Sequence, residues 1–418
     1  MAAERARRST LPLPRVLWLA GRNIRRNLWR SVLSLGAIAI GVAGLVVSGG
    51  FVADVIYQLG EALIHSQSGH IQIARAGYFD AGSRSPGKYL VGAEQAQRLD
   101  LAKDPNVSVV ARRIGFSGLL GNGRSSYPIL GEGIEAGPEA KLGTSVMMQA
   151  GRPLAPSDRY GALVGAGVAR AMDLKPGSVI NIVAPTVDEA MNTVDLEVVG
   201  IFQSFSKDYD DRVVRLPLAA AQELLDTKGV NSLVLLLDAT RHTGAAAQRI
   251  ASGASRDSLE VKTWETLNDF YWKTVALYDR QFGVLRLIVF LTVVAAVMGA
   301  INVAVLERTG EFGTMRALGN TSRDVLQLVL LEGLLMGCVG AILGVLLGLG
   351  AAWLINSVGI PMPPPPGSDL AFDAYIRLSP GLVLSALAIG VLSTLAASVL
   401  PARRVARFPV VDALRRLV

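Results

Sequence analysis

The chain has few of the residues from which enzymes build catalytic and metal sites. Its 418 residues include one cysteine and three histidines. His65, His70 and His242 are too scattered along the sequence to form an evident zinc site, and the G-x-S-x-G motif of nucleophilic hydrolases is absent. Cys338 lies within an apolar run, so the aqueous part of the chain has no internal disulfide and must be held by its own hydrophobic core. We expect no catalytic residue and no bound metal.

Nucleotide-binding loops are also missing. Residues 82–89 mimic a phosphate loop, but Tyr89 stands where the magnesium-binding Ser or Thr is required, and no apolar strand precedes the segment. Residues 131–137 fail the spacing of a dinucleotide-binding loop and lack its strand-turn-helix frame. We therefore expect no cofactor bound by this chain itself.

Charge is nearly absent from four apolar runs, at residues 31–53, 287–306, 334–355 and 381–400. Each is about 20 residues long, enough for a helix to cross the roughly 30 Å hydrocarbon core of a bilayer. The first run could be a secretory signal. However, it is longer than the roughly 7–15 residues of a signal core and no small-x-small cleavage site follows it, which favours a retained anchor. The pattern predicts a membrane protein with one large aqueous domain.

The arginines predict the orientation of the spans. They crowd the segment before the first run, the loop between the second and third, and the tail after the fourth, whereas the loop between the third and fourth has only Arg377. Cytoplasmic loops carry the excess of basic residues, so both termini are predicted to be cytoplasmic in a multi-pass inner-membrane protein. These flanks explain the net charge of +7 without nucleic acid. Residues 16–30 are typical of an amphipathic helix on the inner leaflet, the alternative being a basic flank without a mechanical role.

The aqueous domain has mixed α and β patterns. Short aliphatic runs at residues 68–77, 196–202 and 231–239 predict strands, and residues 93–102 have helical spacing. The predicted fold is an α-helical integral membrane protein with four transmembrane helices, one plus three, and a large α+β extracytoplasmic domain inserted after the first helix. Its predicted parts are a cytoplasmic amphipathic N-terminal helix (1–30), transmembrane helices at 31–53, 284–306, 325–357 and 380–400, an extracytoplasmic domain (54–283), a cytoplasmic coupling segment (307–324), an extracytoplasmic loop (358–379) and a cytoplasmic tail (401–418).

A polar excursion links two predicted strands of the aqueous domain. The strands VINIV and VDLEVVGIF are separated by APTVDEAMNT, which has too much sequence for a tight turn. We expect this loop to protrude, and protruding loops on rigid scaffolds often carry binding.

The third span carries a row of small residues on one stripe, Gly340, Gly344 and Gly348. Small residues let helix backbones approach closely in lipid. We expect this row to pack against another helix, either within the subunit or across a dimer.

The loop between the second and third spans has a pattern of its own. It begins with charged residues, passes through an apolar patch of Phe312, Met315 and Leu318, and breaks at Gly319. Thr321 or Ser322 can then cap the helix leading into the third span. The helical spacing of the apolar patch predicts a short amphipathic helix that works as a lever, the alternative being a solvated connecting turn.

The stretch ERTGEFGTMRALGNTSRD in this loop resembles the coupling segment of the MacB/FtsX-like ABC transporter permease family. PARRVARFPVVDALR, at residues 401–415, is similar to the C-terminal signature of that family. The layout of one plus three spans is closest to the LolC/LolE-type lipoprotein-releasing permeases, and the resemblance covers essentially the whole chain.

The resemblance implies a non-catalytic permease that pairs with a second copy or a paralogue in the lipid membrane and binds a dimer of separate ABC ATPase subunits, which hold the ATP and magnesium. Gly310 departs from the family, which often has a charged residue there. The residues implied to dock into the ATPase are Glu307, Arg308, Glu311, Phe312, Met315, Arg316 and Leu318. The polar excursion occupies the place of a projecting hook for a periplasmic lipoprotein carrier or adaptor, through Pro185, Thr186, Val187, Asp188, Glu189 and Met191.

The function implied is ATP-driven motion of the periplasmic domain that extracts or exports a lipoprotein or another amphiphile. Two alternatives share the coupling segment. One is a MacB-like drug or peptide efflux permease, and the other is FtsX-like transmembrane signalling to a cell-wall hydrolase.

Overall fold

The computed structural model describes residues 28–81, 86–254, 258–362 and 372–407. These ranges form two compact units. The helical unit holds the described residues of 1–56, 275–361 and 373–418, and the sheet unit holds those of 57–274 and 362–372. Most of the predicted N-terminal amphipathic helix, residues 1–30, lies outside the described residues.

The helices and strands fall in the order expected for one span, a mixed domain and three further spans. The described helices are α1 Leu28–Leu63, α2 Tyr78–Ala81, α3 Ala93–Arg98, α4 Ala136–Leu142, α5 Ala166–Ala171, α6 Lys207–Asp210, α7 Leu218–Leu224, α8 Thr243–Ala254, α9 Trp264–Leu267, α10 Asp269–Glu307, α11 Thr309–Ala317, α12 Ser322–Val358 and α13 Pro380–Ala406. The described strands are β1 Ile71–Arg75, β2 Val107–Gly121, β3 Ser126–Ile134, β4 Met147–Gly151, β5 Gly161–Gly165, β6 Val179–Pro185, β7 Met191–Gln203, β8 Val213–Pro217, β9 Ser232–Leu237, β10 Leu259–Thr263, β11 Ile360–Met362 and β12 Phe372–Ala374.

Among the described residues, four helices are long and apolar enough to cross a membrane: α1, α10, α12 and α13. Each contains a stretch of 18 residues with high mean hydropathy, which needs no polar face, as expected for a helix in contact with lipid. The sequence prediction of four helices, one before and three after a large α and β domain, is confirmed.

The helical unit has one hydrophobic core to which all four long helices contribute. Buried members include Val42 of α1, Val297 of α10, Leu328 of α12 and Ala397 of α13. Small and β-branched side chains dominate this core, which lets the helix backbones approach closely.

The sheet unit is built around strands that close on themselves. Six of the described strands form a ring in the order β2-β3-β8-β5-β7-β6, because β6 pairs with both β2 and β7. Two of these pairs are parallel, β3 with β8 and β5 with β7. Strands β9, β1 and β10 extend the sheet from β2. Closure of the ring removes its open edges.

The interior of this ring is apolar. Alternate residues of β2, such as Phe116 and Leu120, point into the core together with Ile182 of β6 and Leu196 of β7. The sheet unit is therefore held by a hydrophobic core of its own, as the shortage of cysteine required.

Candidate functional site

Helix α11 occupies the loop in which the sequence predicted a short helix. Helix α10 ends at Glu307, and Arg308 is the N-cap of α11. The Thr309 hydroxyl donates hydrogen bonds to the carbonyls of Val305 and Leu306, at 3.1 and 2.7 Å. Because these bonds tie the new helix to the last turn of α10, the two helices follow each other without a flexible linker.

The far end of α11 is closed by a turn that requires glycine. Gly319 has a φ of +100°, in the left-handed region that side chains disfavour. Thr321 then caps α12. Its backbone N–H donates to the Asp324 carboxylate at 2.7 Å, and its side-chain oxygen accepts from the Asp324 N–H at 3.3 Å. This reciprocal capping box fixes the direction in which α12 leaves the turn.

The predicted apolar patch of Phe312, Met315 and Leu318, the last of which is the C-cap of α11, is not uniformly accessible. Phe312 is only 3% exposed and packs in the core of the helical unit. Met315 is half-buried against the same core, whereas Leu318 is 81% exposed. Phe312 therefore anchors α11 to the permease itself, and Leu318 is the apolar side chain left for a partner.

Arg308 joins α11 to the neighbouring long helix. Its guanidinium lies 3.0 Å from the carboxylate of Glu332 on α12 and 2.9 Å from that of Glu311. It also lies over the ring of Phe312, 5.1 Å from the centroid. Burial opposes the charge of the guanidinium, but the two carboxylates raise the pKa of Arg308. Arg308 is therefore bonded to α12 and to α11 within the permease itself.

The remaining predicted docking residues lie closer to the surface. Glu307 is exposed, Arg316 is half-buried, and the Glu311 side chain is 41% exposed. Within the ranges that the structure describes, no group of three His, Cys, Asp or Glu side chains is placed to hold a metal ion. Helix α11 is therefore packed firmly against the permease on one side and exposes charged and apolar side chains on the other.

The glycine row of α12 faces α1. A Cβ at Gly340 would lie 2.9 Å from the Ile38 side chain, and one at Gly344 would lie 2.7 Å from the Ala39 carbonyl oxygen. One at Gly348 would lie 2.8 Å from Cβ of Val46. Of the two partners left open by the sequence, the structure therefore shows a helix of the same subunit.

The predicted protruding loop is shorter than expected. Strands β6 and β7 stay paired as far as Pro185 and Met191, so the connection is only residues 186–190. The Val187 N–H donates to the Leu225 carbonyl at 3.0 Å, which ties the loop to the end of α7. Pro185, Asp188, Glu189 and Met191 remain exposed, and Thr186 and Val187 are half-buried. Residues 184–185 and 191–193 at the two ends of APTVDEAMNT belong to β6 and β7, which the sequence pattern did not indicate.

One ion pair of the helical unit was missed. Asp54, only 2% exposed, lies 3.3 Å from the guanidinium of Arg377. The backbone N–H of Arg377 donates to the Gly50 carbonyl at 3.0 Å. The segment before α13 is thereby fastened to α1. The available signal was a lone aspartate at the end of one apolar run and a lone arginine before another.

Two family models match the chain. The MacB-like periplasmic core domain matches residues 31–252, and the FtsX-like permease C-terminal domain matches residues 283–410. The first covers more than half of the chain, and the second contains α11.

Three relatives show the extent of the similarity. The lipoprotein-releasing system transmembrane protein LolC of Neisseria meningitidis is 24% identical over 361 residues, which cover 82% of this chain and 83% of that protein. The macrolide export ATP-binding/permease protein MacB of Rhodospirillum rubrum is 26% identical over 95% of this chain, but the chain spans only 60% of that protein. The uncharacterized ABC transporter permease YvrN of Bacillus subtilis is 28% identical over 54% of this chain and 56% of its own length.

Among solved structures, the periplasmic region of MacB from Actinobacillus actinomycetemcomitans is 13% identical. The match covers 50% of this chain and 94% of that one, with a TM-score of 0.36. A likeness of this size does not bear on function.

Proposed function

This chain belongs to the MacB/FtsX-like family of ABC transporter permeases, and we propose that it couples ATP hydrolysis by a separate ATPase subunit to the extraction or export of a lipoprotein or another amphiphile. The observation that carries the proposal is the match to LolC, which extends over 83% of that protein. LolC is described by its name as a transmembrane protein of a lipoprotein-releasing system. The MacB of Rhodospirillum rubrum, in contrast, combines ATP-binding and permease parts in one protein, of which this chain spans 60%.

We place the ATPase contact on α11. The helix is held to the permease by Phe312 and Arg308, so a force on its outer surface passes to α10 and α12 without being lost in a flexible loop. Leu318, the exposed apolar residue at its end, suits a groove on a partner. Glu307, Glu311 and Arg316 would supply polar contacts around it. In this proposal α11 and both termini lie in the cytoplasm, and the partner binds ATP and magnesium.

Pairing follows from the family, in which permease subunits work in twos. We propose a second copy or a paralogue as the partner within the membrane. The glycine row of α12 is occupied by α1 of the same subunit, so it is not the surface we assign to that pairing.

A periplasmic carrier or adaptor would meet the β6–β7 hairpin. Asp188 and Glu189 are exposed at its tip, and Pro185 and Met191 are exposed where the strands end. This is a small acidic surface with apolar flanks. Because the connection is only five residues long and bonded to Leu225, it would act as a fixed contact point and not as a flexible hook.

A second candidate function is export of a drug or peptide. It is favoured by the MacB-like periplasmic core model, which covers residues 31–252, and by the alignment to MacB over 95% of this chain. The two candidate functions differ in substrate, and in both the ATPase would bind to α11.

Reconstitution tests the choice. The chain, with its ATPase and its permease partner, is placed in proteoliposomes loaded with either a triacylated lipoprotein or a macrolide. We expect lipoprotein to raise ATP turnover and to be released to a soluble carrier in the presence of ATP. Stimulation by macrolide alone would favour the second candidate, and a complex that hydrolyses ATP without moving either substrate would favour signalling to a cell-wall hydrolase.

A further inference from the structure

Helix α1 ends in the sheet unit with an irregular turn. After Leu63 the chain forms a π-helical turn, Ile64–Ser68, closed by a hydrogen bond of 2.9 Å from the Gly69 N–H to the Ile64 carbonyl. A π-turn holds one residue more than an α-helical turn. Such turns are rare in proteins, and those that occur are often at functional sites. It lies at the C-terminus of a helix of 36 residues, where carbonyl groups are left without partners of their own.

Side chains from three strands donate hydrogen bonds to the carbonyls of this turn. Arg215 of β8 donates to the Ser66 carbonyl at 2.7 Å, and Arg113 of β2 donates to the Gln67 carbonyl. Gln72 of β1 donates to the Ser68 carbonyl at 2.9 Å. Cations are favoured at a helix C-terminus because they offset its partial negative charge. The end of α1 is thus gripped by three strands of one sheet.

The two arginines are themselves held from behind. Arg113 is bonded through two nitrogens to the Glu139 carboxylate, and both side chains are less than a tenth exposed. Arg215 bonds to Glu132 at 3.1 Å and to the Tyr209 hydroxyl at 2.9 Å. Burial opposes the carboxylate charge, yet the guanidiniums hold the pKa of Glu139 below its ordinary value. Arg113 and Arg215, which we call the arginine clamp, are therefore charged, buried and fixed in orientation.

Three side chains of the same turn each have a buried polar atom without a hydrogen-bond partner. Among the described residues, His65 Nδ1, Ser66 Oγ and Gln67 Nε2 are buried without a hydrogen-bond partner, and so is Nε1 of the neighbouring Trp264. Buried polar groups are almost always paired, and exceptions need an explanation. A cavity of about 240 Å³, lined by Gln67, Ser68 and Arg113, adjoins the turn and leaves room for it to rearrange.

We propose that Arg113 and Arg215 are the positioning residues through which helix α1 moves the sheet, and that the π-turn they grip changes its hydrogen bonding during each ATP cycle. The proposal rests on the ATP-driven transport proposed above. A turn whose carbonyls are bonded while three of its side chains have a polar atom without a partner is suited to two arrangements, because a rearrangement exchanges which groups are paired. Motion of α1 then reaches β2 and β8 directly through two charged hydrogen bonds.

Hydrogen exchange on the full complex, reconstituted in nanodiscs with its ATPase, tests the turn without any substitution. We expect the Gly69 amide, which closes the π-turn, to exchange about tenfold faster or slower with a bound non-hydrolysable ATP analogue than without nucleotide. An exchange rate that does not depend on nucleotide would overturn the proposal.

Lysine substitutions test the arginines, because lysine keeps the charge and loses the forked hydrogen bonds. In Arg113→Lys and Arg215→Lys we expect lipoprotein released per ATP hydrolysed to fall about tenfold, while ATP turnover is retained. Arg112→Lys is the matched control, since Arg112 directly precedes Arg113 in β2 but is half exposed and bonded to Glu135. Equal losses of release and ATP turnover in the two variants would show a structural role only and overturn the assignment.

The two readouts separate this proposal from the transport proposal. If the Gly69 amide responds to nucleotide in the wild type but not in Arg215→Lys, the clamp is supported even when no lipoprotein is released. If lipoprotein is released normally while the Gly69 amide ignores nucleotide, transport stands and the clamp fails.

Discussion

The guanidinium of Arg308 lies 3.0 Å from the carboxylate of Glu332, although 24 residues separate them in the sequence. The pair joins the N-cap residue of α11 to a residue ten positions after the start of α12 at Ser322, and both side chains are less than a fifth exposed. An ion pair with so little solvent around it is costly to break, because water cannot fully replace the opposite charge that is removed. The pair therefore fixes the angle at which α11 meets the membrane helices.

Substitution of Arg308 tests this ion pair. We expect Arg308→Leu to lower the free energy of unfolding by about 3 kcal/mol, since it removes the guanidinium from beside the little-exposed Glu332 carboxylate, and Arg308→Leu/Glu332→Leu to recover most of the loss. Glu311→Gln is the control and should cost less than about 1 kcal/mol, because the Glu311 side chain is 41% exposed. Unfolding of the full chain in detergent measures all three. A double variant no more stable than Arg308→Leu would contradict this role of the ion pair.

Two glycines of α12 provide a matched pair for helix packing. We expect Gly344→Ala to destabilise the helical unit by about 1–3 kcal/mol, because the new Cβ would lie 2.7 Å from both the Ala39 carbonyl oxygen and the Val42 Cβ. Gly350→Ala has nothing within 4 Å and should be neutral or stabilising by up to about 1 kcal/mol, since alanine is the better helix former. The same unfolding measurement compares them, and equal effects would show that α1 does not pack closely on this row.

The two faces of α11 should respond differently to substitution. Phe312→Ala removes a buried ring and should lower the free energy of unfolding by about 3 kcal/mol. Leu318→Glu changes a side chain that is 81% exposed and should leave unfolding unchanged, while weakening the affinity for the ATPase at least about tenfold. Unfolding in detergent and binding of the purified ATPase are measured side by side. Unaltered ATPase affinity in Leu318→Glu would move the docking surface elsewhere.

Two buried titratable groups of the sheet unit should change its stability in opposite directions as the pH falls. Burial lowers the pKa of His70 from 6.5 to about 4, so the unfolded chain takes up a proton that the folded chain refuses, and stability falls as pH drops from 6.5 to 4. Burial raises the pKa of Asp210 from 3.8 to about 6, so the folded chain takes up the proton first, and stability rises as pH drops from 6 to 3.8. Each contributes at most about 1.4 kcal/mol per pH unit, so they largely cancel between pH 6 and 4.

Substitution of either residue alone shows the contribution of the other to the pH dependence of stability. We expect Asp210→Asn to make the sheet unit lose stability more steeply towards pH 4 than the wild type, and His70→Gln to make the loss shallower or reverse it. Hydrogen exchange of the β9 amides, corrected for the intrinsic rate at each pH, reports the stability. Parallel pH profiles for the wild type and both variants would contradict these assignments.

Local pattern was enough to predict some features. The four apolar runs, the break at Gly319 and the strands around Ile73 and Leu235 depend on neighbouring residues, and the structure contains each of them. The inward position of Phe312 was not predictable, because helical spacing places residues on a face but does not say which face the protein covers. The pairing of Arg308 with Glu332 and of Asp54 with Arg377 depends on chain reversals that no local pattern encodes.

The most direct test of the coupling mechanism is a photo-crosslinking amino acid at position 318 of the reconstituted complex. We predict crosslinks from this position to the ATPase subunit, and none to it from Leu130, which is 42% exposed on the sheet unit. Crosslinks from position 318 that never reach the ATPase, or an ATPase reached from position 130, would contradict the proposal that α11 receives the force of ATP hydrolysis.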